Sequence, residues 1–219
     1  MTNTGTVTGG AVAGIELGAG GQVANNQPGY LTGHLGVAVL GGTGAVTNSG
    51  SIFAVNAGTS AGVNQAIGVL LAAGGNVTNQ IDSRITGQGA GVDILGSAGT
   101  VVNNGTIGGV AYDGVYITSG SVTNASGATV TGGTIGTGGS IGAGGALVTS
   151  GWGVVIRNGG SLFNAGTVTG AVLGGAFLGG GSATNLGTIA GAWGIAMTKK
   201  WPLAVAAALS WIVEISTDG

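Results

Sequence analysis

Apolar residues recur along the chain in two short phrases that repeat together. In one, a Gly precedes two apolar positions that flank a variable one: Gly14-Ile15-Glu16-Leu17, Gly36-Val37-Ala38-Val39, Gly68-Val69-Leu70-Leu71, Gly91-Val92-Asp93-Ile94, Gly114-Val115-Tyr116-Ile117 and Gly153-Val154-Val155-Ile156. The flanking residues are always Val, Ile or Leu, while the middle one ranges from Glu16 and Asp93 to Tyr116. That alternation is the period-2 signature of a strand with two side chains inward and one outward. The other phrase passes through an Asn to a Gly-Thr-Ile or Gly-Thr-Val step, as in Val102-Asn103-Asn104-Gly105-Thr106-Ile107 and Thr184-Asn185-Leu186-Gly187-Thr188-Ile189. Here Val7, Leu31, Ile52, Ile85, Ile107, Val130, Val168 and Ile189 take an inward position, with Thr6, Ser51, Thr106, Thr129, Thr167 and Thr188 outward beside them. Stretches such as Gly41-Gly42, Gly74-Gly75, Gly159-Gly160 and Gly179-Gly180-Gly181 separate the phrases and suit corners that need positive φ.

The phrase Asn residues are Asn3, Asn25, Asn48, Asn79, Asn103, Asn124, Asn164 and Asn185, at spacings of 22, 23, 31, 24, 21, 40 and 21. A period near twenty fits one coil of a β-solenoid, being too long for a heptad and too short for a helical pair. Coils stacked in register form parallel sheets with strands ~4.8 Å apart. The stacked Asn side chains can then form a ladder of amide hydrogen bonds; a left-handed Asn at each turn is the alternative. The gap of 40 reads as two coils, the middle one, around Thr134 to Ala146, lacking its Asn; the gap of 31 reads as one coil with a loop inserted within Val55 to Gln65. The chain is therefore expected to be all-β, a parallel β-helix of about nine coils of ~20 residues, on the order of 45 Å long.

The repeat is expected to occupy residues 1–197 and to give way to a non-repeat tail at 198–219. The tail opens Thr198-Lys199-Lys200-Trp201-Pro202 and continues almost wholly apolar from Leu203 to Val213. Pro202 suits the first turn of a helix, and the run is short of the ~20 residues of a membrane span. A short apolar helix capping the solenoid is the first reading. A surface-seeking helix anchored by Trp201, Trp211 and the lysines and an artificial end of a truncated or frameshifted product are the others.

Composition changes this picture little. With 53 Gly but 43% hydrophobic residues and only 5% charged, the chain lacks the high charge and low hydrophobicity of disorder. A net charge of −2 gives no electrostatic reason to expect nucleic acid or an anionic membrane as partner. The absence of Cys excludes disulfides and thiolate-bound metals. Met1-Thr2-Asn3-Thr4-Gly5 enters directly in repeat register without a basic and apolar leader, so an internal piece of a longer chain is expected in preference to a cytosolic protein.

Candidate chemistry is sparse. His34 is the single histidine and reads as a surface or turn residue. Asp93 and Asp113 lie about one coil apart with Arg84 nearby, which reads as solvated turn charges before it reads as a catalytic pair. Gly18-Ala19-Gly20-Gly21 carries no phosphate signal in so Gly-rich a chain, and Asp does not recur with the period as a calcium-binding repeat requires. No catalytic, cofactor or metal residues are expected, and no small-molecule cofactor.

The alternation of Gly-x-Val-Thr-Asn-x-Gly-Thr-Ile-x-Gly with Gly-Val-x-Ile and a Gly-Gly corner resembles the passenger repeats of bacterial autotransporters and related adhesins, over roughly residues 1–197. That resemblance implies a right-handed parallel β-helix displayed at the bacterial cell surface, between a signal peptide and an outer-membrane β-barrel that lie outside this sequence. It implies a structural and adhesive stalk without catalysis, meeting host or neighbouring-cell molecules or its own kind, with membrane attachment only through that barrel. Outward Leu70, Tyr116 and Val155 are expected to serve such contacts. A second expectation is ice or carbohydrate binding through outward Thr arrays such as Thr6-Val7-Thr8, Thr129-Val130-Thr131 and Thr167-Val168-Thr169, which Tyr30, Phe53, Arg84 and Gly108 interrupt. A third is a polysaccharide-active enzyme using Asp93 and Asp113.

Overall fold

The computed structural model describes residues 1–55, 66–133 and 151–198. Within them the chain is a parallel β-helix: three sheets of eight strands, each strand pairing in parallel with its equivalents in the coils before and after. The first sheet holds Thr2–Asn3, Gly21–Asn25, Gly44–Asn48, Gly75–Asn79, Gly99–Asn103, Gly120–Asn124, Gly160–Asn164 and Ser182–Asn185. The second holds Thr6–Thr8, Tyr30–Gly33, Ser51–Ala54, Arg84–Gly87, Thr106–Gly109, Thr129–Gly132, Thr167–Gly170 and Thr188–Ala190. The third holds Ala13–Leu17, Leu35–Val39, Ile67–Leu71, Val92–Ile94, Val115–Ile117, Trp152–Ile156, Gly174–Leu178 and Trp193–Met197. The Asn phrase thus bends into two strands, and every first-sheet strand ends on its Asn.

The inward positions stack into one core along the axis. Val7, Leu31, Ile52, Ile85, Ile107, Val130, Val168 and Ile189 are consecutive register partners in the second sheet. Leu31 through Val168 join Val23, Val46 and Val77 of the first sheet and Val37, Val69 and Val92 of the third in a single buried cluster, with the end residues Val7 and Ile189 half-buried against it. Burying each such side chain contributes roughly 2 kcal/mol, and many identical coils add these small terms.

The described residues stack in eight coils, where about nine are expected. Across the gap of 40, Gly120–Asn124 pairs directly with Gly160–Asn164, and Val115 pairs with Val154. No coil stacks between these paired strands, and residues 134–150, where the extra coil is expected, lie outside the described residues. The gap of 31 is likewise one coil with an insertion, since Asn48 and Asn79 are register partners. Seven steps of ~4.8 Å make a stack of about 34 Å. The expected helical tail lies outside the described residues.

The Asn column is a continuous ladder. Each Nδ2 donates to the Oδ1 of the next coil's Asn at 2.8–2.9 Å, from Asn3 through to Asn185. None of these residues has positive φ, so the turn alternative does not hold; among the described non-Gly residues only Asp82 does, at 59°. The amide also closes its own corner and reaches the next one: Asn103 donates to the Gly105 carbonyl at 3.1 Å and the Thr129 carbonyl at 3.0 Å. Asn25 to Asn164 are fully buried, and a buried amide is tolerated only when its hydrogen bonds are made.

Of the expected Gly corners, Gly74-Gly75, Gly159-Gly160 and Gly180-Gly181 do take positive φ, whereas Gly41-Gly42 does not. The requirement is strict at Gly120, where φ is 114° and a Cβ would lie 2.0 Å from the Gly99 carbonyl oxygen. Gly120→Ala is therefore expected to destabilise the fold by about 3 kcal/mol; denaturant unfolding of the variant measures this, and a loss under 1 kcal/mol would contradict the close packing of these two coils.

Candidate functional site

With the core filled and the ladder closed, chemistry is left to the outer faces and the corners. The two outward rows of the second sheet are set by register. One runs Thr6, Tyr30, Ser51, Arg84, Thr106, Thr129, Thr167, Thr188 and the other Thr8, Thr32, Phe53, Thr86, Gly108, Thr131, Thr169, Ala190. Adjacent coils carry Thr in both rows only at Thr129, Thr131, Thr167 and Thr169. Tyr30, Phe53, Arg84 and Gly108 do interrupt the array, and four hydroxyls make no extended lattice.

The third sheet departs from expectation. Its outward residues are not a free surface: Tyr116 is 4% exposed and Val155 1%, and Leu70 is half-buried. They belong to a second apolar layer outside the coil. Leu70 packs with Ile67, Ala90, Ala111 and Tyr112; Tyr116 and Val155 pack with Trp152, Phe177 and Trp193. Trp152 and Phe177 meet edge to face at 5.6 Å. Parallel strands are usually covered on both faces, and this layer does it. The variable middle position hid this, because mixed residue types read as solvent-facing.

Asp93 and Asp113 sit within this layer, so they are not solvated turn charges. Asp93 is fully buried in the outward row between Leu70 and Tyr116, and neither carboxyl oxygen has a hydrogen-bond partner. Desolvation, with Asp113 as a second cause, pushes its pKa up to about 8. Asp113 precedes the strand Val115–Ile117 and accepts the Gly151 and Trp152 backbone N–H groups on one oxygen, both at 2.9 Å. Burial raises its pKa to about 6 against the lowering effect of those two bonds. Arg84 does not join them: it is exposed on the second sheet, its Nε donating to Thr86 Oγ1 at 2.8 Å. Arg157 reaches Tyr116 instead, its Nη1 donating to the phenol oxygen at 3.4 Å. The pair is sealed from solvent, which denies a polysaccharide chain access to it. His34 is half-buried just after Tyr30–Gly33 with Nδ1 unpartnered, and among the described residues no three His, Asp or Glu side chains gather as a metal site would need.

Sequence reasoning missed the corners between the first and second sheets. In five coils the Asn closes on the carbonyl two residues on, as Asn48 does on Gly50 at 3.0 Å. In three it closes on the carbonyl four residues on: Asn25 on Gly29, Asn79 on Ser83 and Asn124 on Ala128. The long corners fall in the second, fourth and sixth coils, so each stands two coils, about 10 Å, from the next, with a short corner between. Where the short corner at Ser49-Gly50 lies between the long corners of Asn25 and Asn79, a cleft of about 240 Å3 opens, reached by Gln27, Tyr30, Ser51 and Asp82. The signal was in the spacing: six residues separate Asn25 from Leu31 but four separate Asn48 from Ile52.

Comparison with protein-family models, with curated proteins and with solved structures finds no match to this chain.

Proposed function

We propose that this chain is a structural and adhesive stalk of a bacterial cell surface, the β-helical part of an autotransporter-like passenger, and that it carries no catalysis. The observation that supports this reading is the unbroken Asn ladder through eight coils. It repeats one stabilising device along the whole stack, as suits a spacer that holds its length, and it leaves the outer corners free to vary. The two carboxylates that do come together are buried from any large substrate. The limited Thr block gives no comparable support to ice binding, and no thermal hysteresis is expected from the purified chain.

The test places the chain between a signal peptide and an outer-membrane barrel and measures attachment of the displaying bacteria to epithelial layers and to one another. The expected result is several-fold more attachment than with the barrel alone. Equal attachment in both assays, with display verified by antibody, would contradict the reading.

A further inference from the structure

We infer that the cleft over the Ser49-Gly50 corner is a binding site for a neutral saccharide unit, an inference that deepens the adhesive reading above and rests on it. The cleft exists because corner length alternates. Its floor is the short corner, Ser49, Gly50 and Ser51; one wall is the long corner ending at Tyr30 and the other is the long corner bearing Asp82. About 240 Å3 is below the 300–1,000 Å3 of sites that enclose drug-sized ligands. A single sugar ring suits that size.

The groups around it fit sugar chemistry. Tyr30 is 38% exposed and offers an apolar face with a hydroxyl at its edge. Such a face covers the C–H side of a pyranose. Asp82 is exposed and held at φ 59° on the tip of its corner. That corner is braced by Ser83, whose hydroxyl lies 2.7 Å from Asn79 Oδ1 and 2.6 Å from the Gln80 carbonyl. An ionised carboxylate accepts from two adjacent hydroxyl groups at once. Gln27 adds both a donor and an acceptor, and Ser49 and Ser51 add hydroxyls on the floor. Asp82 is the charged residue lining the cleft and disfavours phosphate, sulfate and carboxylate, while Arg84, the register partner of Ser51 on the floor, turns its Nε away to Thr86. The lining is too polar for an aliphatic ligand. Among uncharged ligands, a neutral polyhydroxylated ring is the one these hydroxyl, amide, carboxylate and aromatic groups fit best.

The experiment uses the purified full chain on an array of neutral and acidic glycans, followed by saturation-transfer NMR with the methyl glycosides of glucose, galactose, mannose and N-acetylglucosamine. Binding of at least one neutral glycan is expected. Tyr30→Ala should weaken it tenfold or more and Asp82→Asn at least threefold, while the circular dichroism and unfolding midpoint stay those of the parent chain, since both side chains are exposed. Asp82→Gly, which keeps the backbone conformation without the carboxylate, is the second variant should Asp82→Asn fail to fold, and the same loss is expected. No binding to neutral glycans, binding confined to acidic glycans, or binding that survives Tyr30→Ala would each overturn the assignment. Attachment of displaying cells without neutral-glycan binding would remove the cleft and leave the stalk standing. Glycan binding without attachment would do the reverse.

Discussion

Asp93→Asn raises the unfolding midpoint of the chain at pH 9 by roughly 10 °C and leaves it almost unchanged at pH 4. Asp93 is fully buried with no hydrogen-bond partner on either oxygen, and its pKa rises from the ordinary 3.8 to about 8. Its folded pKa is raised, so between those values the folded chain holds a proton that the unfolded chain releases. Stability therefore falls as pH climbs through that window, by at most ~1.4 kcal/mol per pH unit. By pH 9 the accumulated penalty is on the order of 5 kcal/mol, and local opening of the outer layer will reduce it. Asn has nearly the same shape and no charge to desolvate. Asp113 adds a smaller fall up to about pH 6, tempered by its bonds from Gly151 and Trp152. Beside the pair, the Tyr116 phenol is itself pushed up by burial, with the hydrogen bond from Arg157 acting against that rise. Thermal unfolding from pH 4 to pH 9 reads the effect. Parallel curves for parent and variant would contradict the burial of Asp93.

Asn103→Ala destabilises the chain by about 4 kcal/mol, more than any outward substitution on the first sheet. The side chain donates to Asn124 Oδ1 at 2.8 Å and to the Gly105 and Thr129 carbonyls. It accepts from Asn79 Nδ2 at 2.9 Å and from the Gly105 N–H at 3.2 Å. Removing it leaves buried groups of two neighbouring coils unsatisfied, each costing roughly 1–3 kcal/mol. Asn103→Asp is the sharper variant: it still accepts from Asn79, but its carboxylate faces the Asn124 oxygen without a hydrogen to give. At pH 7 it is expected to fall below Asn103→Ala, and to recover as acid restores the proton. Equilibrium unfolding of both variants at pH 7 and pH 4 checks this order, and a loss under 1 kcal/mol for Asn103→Ala would show the ladder to be incidental.

The coil was legible in the sequence because repetition printed the same physical demand eight times. Positions such as Val7, Ile52 and Ile107 must be apolar in every coil, and the Asn column has no other side chain that donates and accepts along one axis. Sequence spacing is a poor ruler for coils, which is why the gap of 40 suggests an extra coil around Thr134 to Ala146. Insertions at corners change sequence length without changing rise, as Asn124 and Asn164, partners at 2.8 Å, make plain. The second apolar layer was hidden because the pattern Val-Asp-Ile gives no sign that its middle residue is covered from outside. For the same reason Asp93 and Asp113 look like solvated charges in the sequence: burial of an outward row depends on residues far along the chain. The cleft at Tyr30 and Asp82 arises from the relation between three successive corners, and no single repeat contains it.

The measurement that bears most directly on this architecture is a disulfide between Ser121→Cys and Ser161→Cys. The chain has no other Cys, and these two residues are register partners on adjacent strands of the first sheet, 40 positions apart. Neighbouring strands stand ~4.8 Å apart, within the Cα separation that a disulfide spans. Mild oxidation of the folded double variant is expected to close the bond nearly completely within one chain, with unfolding shifted to higher denaturant. If a further coil lay between them, the separation would be near 10 Å and the thiols would remain free, contradicting the eight-coil stack.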